Sequence, residues 1–471
     1  MEKAKMNKKK FNLKGVFDGI RFSVGAQQKS ESEVEETLRT DHFQVCNTVR
    51  HGFPYQPTAV AFDPVQHLLA IGTKTGWLRL LGRPGVDISC CHDNEVAVTQ
   101  IVFLGNEGAL VTVCSDDSLH LWNFRQKHPE IVHSLKFQRE RITFCHLSFQ
   151  SKWLYVGTER GNVHIVNIES FVLSGYVINW NKAIELSRKT HPGVVVHLSD
   201  NPVDPTKLLI GFESGTLVLW DLKTKQAEYR YSSPEALRSV SWHHEGKQFM
   251  CSHSDGSLTR YNVRQPPKYT DLMMPHAKMG REGKADPCKP IAKVEWKSVR
   301  NSEPLVIFSG GMSYDRAGRT PTITVMNGKS TTVLEMEHNI VDFVVLCETP
   351  WVNDFQEPYA IVVLLQNDLV VVDLTTPGYP CFENPYPMDI HESPVTALQY
   401  YADCPPDLIP AFYSVGSKQK RSGFSEKEWP IKGGVWGTTT CSYPEILITG
   451  HADGSLKFWD ASSGKHILLS F

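Results

Sequence analysis

Apolar residues along this chain fall into short alternating runs punctuated by turn residues, and one pattern recurs. An apolar run meets Gly or Ser, then a Gly or Asp turn, then an alternating strand that closes on Trp-Asp, Trp-Asn or a relative. The clearest copies are residues 210–221 and 448–460, with weaker ones at 71–81, 114–123, 156–167 and 251–262. Period-two alternation predicts half-buried strands. Each copy therefore reads as a β-hairpin whose tight turn needs a positive φ, supplied by Gly76, Gly161, Gly215, Gly256 and Gly454, with Asp117 in the second copy.

A further short strand precedes each hairpin, as at 58–62, 99–103, 194–198 and 238–242, often closed by a turn such as Asp63-Pro64 or Asn201-Pro202. From Gly76 through Asp117, Gly161 and Gly215 to Gly256 the steps run from 41 to 54 positions. That brackets the roughly 40–45 of WD repeats once loop insertions are allowed. Two degenerate copies follow: 291–296 with 305–308 and 322–326, then 341–346 with 360–365 and 368–374. The expected fold is all-β, a seven-bladed WD-repeat β-propeller over residues 41–390, with a surplus hairpin at 446–460. The surplus unit, 391–471, reads as an eighth blade or as the first blade of a truncated second propeller, with 401–444 as a long insertion. Its strand 445–449 is expected to present an unpaired edge unless it docks on the first ring or on another chain. A second insertion, 265–290, reads as a surface loop.

Composition narrows the class. Hydrophobic residues at 41% and charged residues at 21% suit a globular core. No window reaches the eighteen or so apolar residues of a membrane span, and the lysine-rich start has no apolar stretch behind it. Eleven cysteines, an odd number without a Cys-x-x-Cys pair, argue against a disulfide framework or zinc site and for a reducing compartment. The net charge of −2 conceals a basic arm before Glu31, Glu33, Glu35 and Glu36, so 1–40 reads as a flexible arm and acidic linker.

Residues 49–54, 62–64, 151–161, 353–359 and 448–460 resemble the tomosyn, syntaxin-binding branch of the lethal giant larvae family, and the resemblance runs over about residues 40–462. It implies tandem seven-bladed propellers, binding of syntaxin and other target SNAREs, and regulation of SNARE-dependent exocytosis. It also implies links to Rab GTPases, non-muscle myosin II and the cell cortex. The alternatives it leaves open are a cortical scaffold for myosin II and polarity proteins, or a regulator of GTPase activity in Golgi-to-plasma-membrane transport. The family's C-terminal SNARE-like coiled coil has no counterpart here, so the expected product is a truncated isoform or fragment.

No nucleophile elbow, His-Glu-x-x-His or Walker lysine loop is present, so no catalytic, cofactor-binding or metal site is expected. His243-His244 reads as a pair of polar turn residues at a strand end, and His451 and Asp453 as residues flanking a turn and hydrogen-bonded within their blade. Trp122, Trp220 and Trp459 read as packing between blades with each indole N–H satisfied locally. Two segments could carry binding. Lys8, Lys9, Lys10, Phe11, Lys14 and Phe17 mix charge and apolar groups in a way suited to peripheral contact with an anionic leaflet, with no nucleic-acid module beside them. Lys418, Lys420, Arg421, Phe424, Trp429 and Trp436 make the long insertion too apolar for a spacer, and either partner binding or structural packing would use them. The expected location is cytoplasmic, peripheral to the plasma membrane.

Overall fold

The computed structural model describes residues 52–470 apart from 84–85, 127, 185–189, 279–285, 315–318, 386–392, 417–422, 435–444 and 461–464. The arm residues Lys8, Lys9, Lys10, Phe11, Lys14 and Phe17 lie outside the described residues, as do Lys418, Lys420, Arg421 and Trp436.

Blade 1 comprises strands β1 (Pro57–Asp63), β2 (Leu68–Thr73), β3 (Trp77–Leu81) and β4 (Asp87–Cys91), paired antiparallel in chain order. Five more four-stranded blades follow, with inner strands β5 (Val98–Leu104), β9 (Ile142–Leu147), β13 (Val195–Asp200), β17 (Leu237–Trp242) and β21 (Ile291–Lys297). Blade 7 has three strands, β25 (Ile340–Cys347), β26 (Pro358–Leu365) and β27 (Leu369–Asp373). Inner strand β1 packs against β5 on one side and β25 on the other, which closes the ring. Beyond it lies an eighth sheet, β28 (Val395–Tyr401), β29 (Ile446–His451), β30 (Leu456–Asp460) and β31 (Lys465–Ser470). The expectation of an exposed edge at 445–449 is corrected, because β29 pairs with β28 on one side and β30 on the other. The 265–290 insertion is likewise more than a loop, since Asp271–Met273 supplies the fourth strand of blade 5.

The hairpin turns take the predicted backbone, with Gly76, Asp117, Gly161, Gly215, Gly256 and Gly454 all at positive φ. A different demand falls on the glycines inside second strands. A Cβ on Gly157 would stand 2.5 Å from Val195 Cγ1 and 2.8 Å from its Cβ, and Gly72 meets Val98 in the same way. These glycines let one blade's second strand approach the next blade's inner strand. Gly157→Ala should therefore lower unfolding free energy by about 1–3 kcal/mol through overpacking, read as a fall in urea midpoint at constant m-value.

Apolar clusters fill the seams between blades. One joins Ala59, Leu78 and Leu80 to Val98, Leu110 and Trp122, and another joins Ile307 and Ile323 to Phe343 and Val363. Polar side chains add bonds across the inner strands. Thr58 Oγ1 donates to the Val98 carbonyl (2.5 Å) and Thr143 Oγ1 to that of Val195 (2.6 Å). Gln100 both donates to the Cys145 carbonyl (2.7 Å) and accepts from its N–H (2.8 Å). Trp242 Nε1 reaches Ser199 Oγ (3.0 Å), while Ser239 and Ser241 accept from the backbone of Val294 and Trp296. Lys293 Nζ donates to Asp342 and to the Phe343 carbonyl. Among the described residues, only the seam from blade 7 to blade 1 has no such polar bridge between inner strands, and an apolar cluster holds it.

Candidate interaction surfaces

All eight inner strands, those of blades 1 to 7 and β28, carry a one-residue register break near the start, for example between Val98 and Gln100, Ile142 and Phe144, Leu237 and Ser239, and Ile340 and Asp342. A bulge re-aims the extra residue, and Thr99, Arg238 and Val341 thereby reach the axial channel, where they line a cavity of about 970 Å³. Charges of both signs rim it: Arg141 lies 4.0 Å from Asp117, and Lys293 pairs with Asp342 at 2.9 Å. A second cavity of about 390 Å³ opens at the other end of the same strands. His197 lies between the two, and burial, with His146 beside it, pushes its pKa down to about 3.

A loop crosses that second end. Residues 348–357 leave blade 7, and Trp351 meets Phe149 of blade 3 edge-on at 4.9 Å. Phe355 stacks near His244 (4.6 Å) and beneath Arg300 (5.7 Å), and Gln356 Oε1 accepts from Ser298 N (2.8 Å). The loop thus touches blades 3, 5 and 6 while Trp351 and Val352 stay exposed. Residues 353–357 of the 353–359 stretch that carries the family resemblance fall on it, the last two opening β26; the loop's own sequence pattern carries no chemistry that marks it as a site.

The histidines show what buried polar groups are for in this molecule. His92 Nδ1 faces the Gly76 carbonyl at 2.7 Å, so that nitrogen carries the proton; Nε2 then accepts from Thr112 Oγ1 (2.8 Å), which in turn accepts from Trp122 Nε1 (3.1 Å). The relay runs from the turn of blade 1 into blade 2. The eighth sheet repeats it: His451 Nδ1 to the Ser393 carbonyl, Nε2 to Thr449 Oγ1, and Trp459 Nε1 to the same hydroxyl at 2.9 Å. Trp220 Nε1 instead donates to Tyr176 OH (3.0 Å). All three indoles are satisfied locally, as expected, and Asp453 caps its own turn through Ser455 N.

His92, Cys114 and His120 bring three ligand-type atoms within 4.8 Å of one another. His92 spends both nitrogens on the relay, and His120 spends its two on Ser118 and Ser134. Burial pushes the Cys114 thiol up to about 11, away from the thiolate a metal needs. The triplet is assigned a structural role.

The long insertion divides. Helix α2, Leu408–Gly416 (α1 being Trp180–Ile184), packs Phe412 on Phe458 of the eighth sheet at 5.4 Å. Residues 424–434 return to the ring: Trp429 packs on the blade 7 to blade 1 cluster and Ile431 is fully buried in it, while Phe424 stays exposed. Trp429 is therefore a packing residue. The eighth sheet's own inner strand is open, with Leu398, Tyr400 and Tyr401 exposed. No helix among the described residues is long and apolar enough to cross a membrane.

Comparison with known proteins adds relatives to this geometry. Residues 273–380 match the LLGL family model, described as LLGL2. The chain is 35% identical over 449 residues to LLGL scribble cell polarity complex component 2 of Mus musculus, covering 91% of this chain and 43% of that protein. The Homo sapiens protein of the same name is 34% identical over 450 residues, with the same coverage. Lethal(2) giant larvae protein homolog 1 of Rattus norvegicus is 32% identical over 454 residues, again 91% of this chain and 43% of the other. The chain spans less than half the length of the curated relatives it matches.

Proposed function

We propose, from the premise that the chain is a relative of the LLGL family, that it is a non-enzymatic interaction scaffold of a cell-polarity assembly, cytoplasmic and peripheral to the plasma membrane. The observation that carries the reading is the alignment over 91% of the chain with proteins named as scribble cell polarity complex components. The propeller suits this role. A closed ring presents rigid faces and loops to partners without turnover chemistry, and its buried histidines and serines are engaged in bonds between and within blades.

Within that reading, non-muscle myosin II and polarity proteins take first place as partners. Syntaxin and the other target SNAREs of the tomosyn branch come second, and the relatives aligned above bear polarity names. The discriminating experiment is calorimetric titration of the folded, monodisperse chain against a non-muscle myosin II tail fragment and, separately, against syntaxin alone and paired with its partner target SNARE. Heat with the myosin tail and none with syntaxin is the expected result. The reverse pattern would displace the scaffold reading in favour of exocytosis.

A further inference from the structure

Two seams of the ring, blade 1 to blade 2 and blade 3 to blade 4, are built alike from a socket and a plug. The socket is a second-strand glycine paired with the residue just after the inner-strand bulge, Gly72 with Ala59 and Gly157 with Phe144. The plug is an aliphatic pair on the next blade's inner strand. A Cβ on Gly72 would stand 2.6 Å from Val98 Cγ1 and 3.3 Å from Ile101 Cδ1, and one on Gly157 would stand 2.5 Å from Val195 Cγ1 and 3.4 Å from Leu198 Cδ1. The bulge puts residues three apart on one face. A hydroxyl completes each seam: Thr58 and Thr143, the bulge residues on the socket side, donate to the carbonyls of Val98 and Val195.

The eighth sheet carries both halves. Gly450 pairs with Ala397 after the bulge of β28, and the bulge residue Thr396 donates to the Gly450 carbonyl at 3.2 Å, as Thr58 does to that of Gly72 at 3.2 Å. A Cβ on Gly450 would meet only its own sheet, Ala397 Cβ at 3.3 Å and Leu456 Cδ2 at 3.5 Å. The socket is formed and empty. Val395 pairs with His451 as Val98 pairs with Cys114 and Val195 with Phe212, so Val395 and Leu398 hold the plug positions. Ile101 and Leu198 are 6% and 1% exposed in their sockets, whereas Leu398 is 63% exposed.

We propose that the eighth sheet docks on the eighth sheet of a second copy of this chain, with Val395 and Leu398 of one copy seated against Gly450 and Thr396 of the next. The ring's plugs are spent on its own seams, so the free plug that fits this socket is the one the chain carries beside it. Each copy offers one plug and one socket, which makes the contact heterologous and repeats it head to tail. A single blade seam belongs to the small, weak class of interfaces, so assembly grows with concentration instead of stopping at a dimer. The contact is independent of which polarity or SNARE partner the scaffold serves.

The test is sedimentation equilibrium of the whole chain from micromolar to several hundred micromolar, where the weight-average mass should rise continuously. Two variants close one half each. Gly450→Val fills the socket at a residue outside the positive-φ region, and Leu398→Asp charges the plug at an exposed side chain. Alone, each should associate at least ~10-fold more weakly than the wild type. Mixed in equal amounts they should form a one-to-one pair, because each keeps the half the other lacks. A wild-type chain that stays monomeric over the range overturns the proposal, as do folded variants that associate like the wild type or a mixture that forms no pair. If Gly450→Val does not fold, Gly450→Ala takes its place in the same comparison.

Discussion

Trp122→Ala should lower the unfolding free energy by about 3–5 kcal/mol, the cost of emptying a buried aromatic site. The indole is 2% exposed and fills the seam between blades 1 and 2 with Ala59, Leu80 and Val98. Its loss removes packing on both blades and leaves Thr112 Oγ1 with one partner fewer in a buried relay. Trp122→Phe separates these effects. It keeps most of the ring volume and deletes the N–H, so the cost should fall to about 1–3 kcal/mol. Trp153→Ala, at an exposed indole, should stay within about 0.5 kcal/mol of wild type. Urea unfolding followed by intrinsic fluorescence and far-UV dichroism ranks the three. A ranking with Trp153 at the top would refute the assignment of Trp122 as a seam residue.

The second large effect is acid sensitivity. Burial lowers the pKa of His92, His120, His197 and His253, that of His197 to about 3, so the folded chain keeps them neutral where the unfolded chain takes up protons. A base whose folded pKa lies below its unfolded value gives stability that is fully present above about pH 6.5 and is lost as pH falls below it towards the folded pKa. For His197 alone the loss between pH 7.5 and pH 5 should be about 2 kcal/mol, at 1.36 kcal/mol per unit. The carboxylates held low by hydrogen bonds, Asp200 and Asp373 among them, lose their contribution only below the ordinary carboxylate range. The histidines therefore govern the window from pH 6.5 to 5. Urea midpoints at pH 7.5 and 5.0 should show a marked drop in the wild type and a smaller one for His197→Asn. Equal drops would remove His197 from the account.

How far the sequence spoke depended on whether a signal was local. The hairpins were legible because alternation and a turn residue sit within a dozen positions, and Asp117 shows that the rule was conformational, since its φ of 65° matches the glycines it replaces. Even the two degenerate blades could be placed from apolar runs alone. What stayed hidden was longer in range. Thr58, Gln100 and Ser239 look like ordinary polar strand residues, and only their neighbours 40 or more positions away reveal them as bridges between blades. The residues of 424–434 that pack on the ring, Trp429, Pro430, Ile431 and Gly433, follow no regular alternation that would announce a buried side. Hence the insertion was recognised as too apolar for a spacer, but Trp429 could not be told apart from a presented side chain.

The segment at 424–434 also sets an order of events during synthesis. The last strand of blade 7 ends at Asp373, yet Ile431, which fills the meeting point of blades 7 and 1, emerges almost sixty residues later. A nascent chain with all seven blades outside the ribosome still carries an uncovered apolar strip where its two ends join, and for that interval it is a client for any chaperone that reads exposed aliphatic surface.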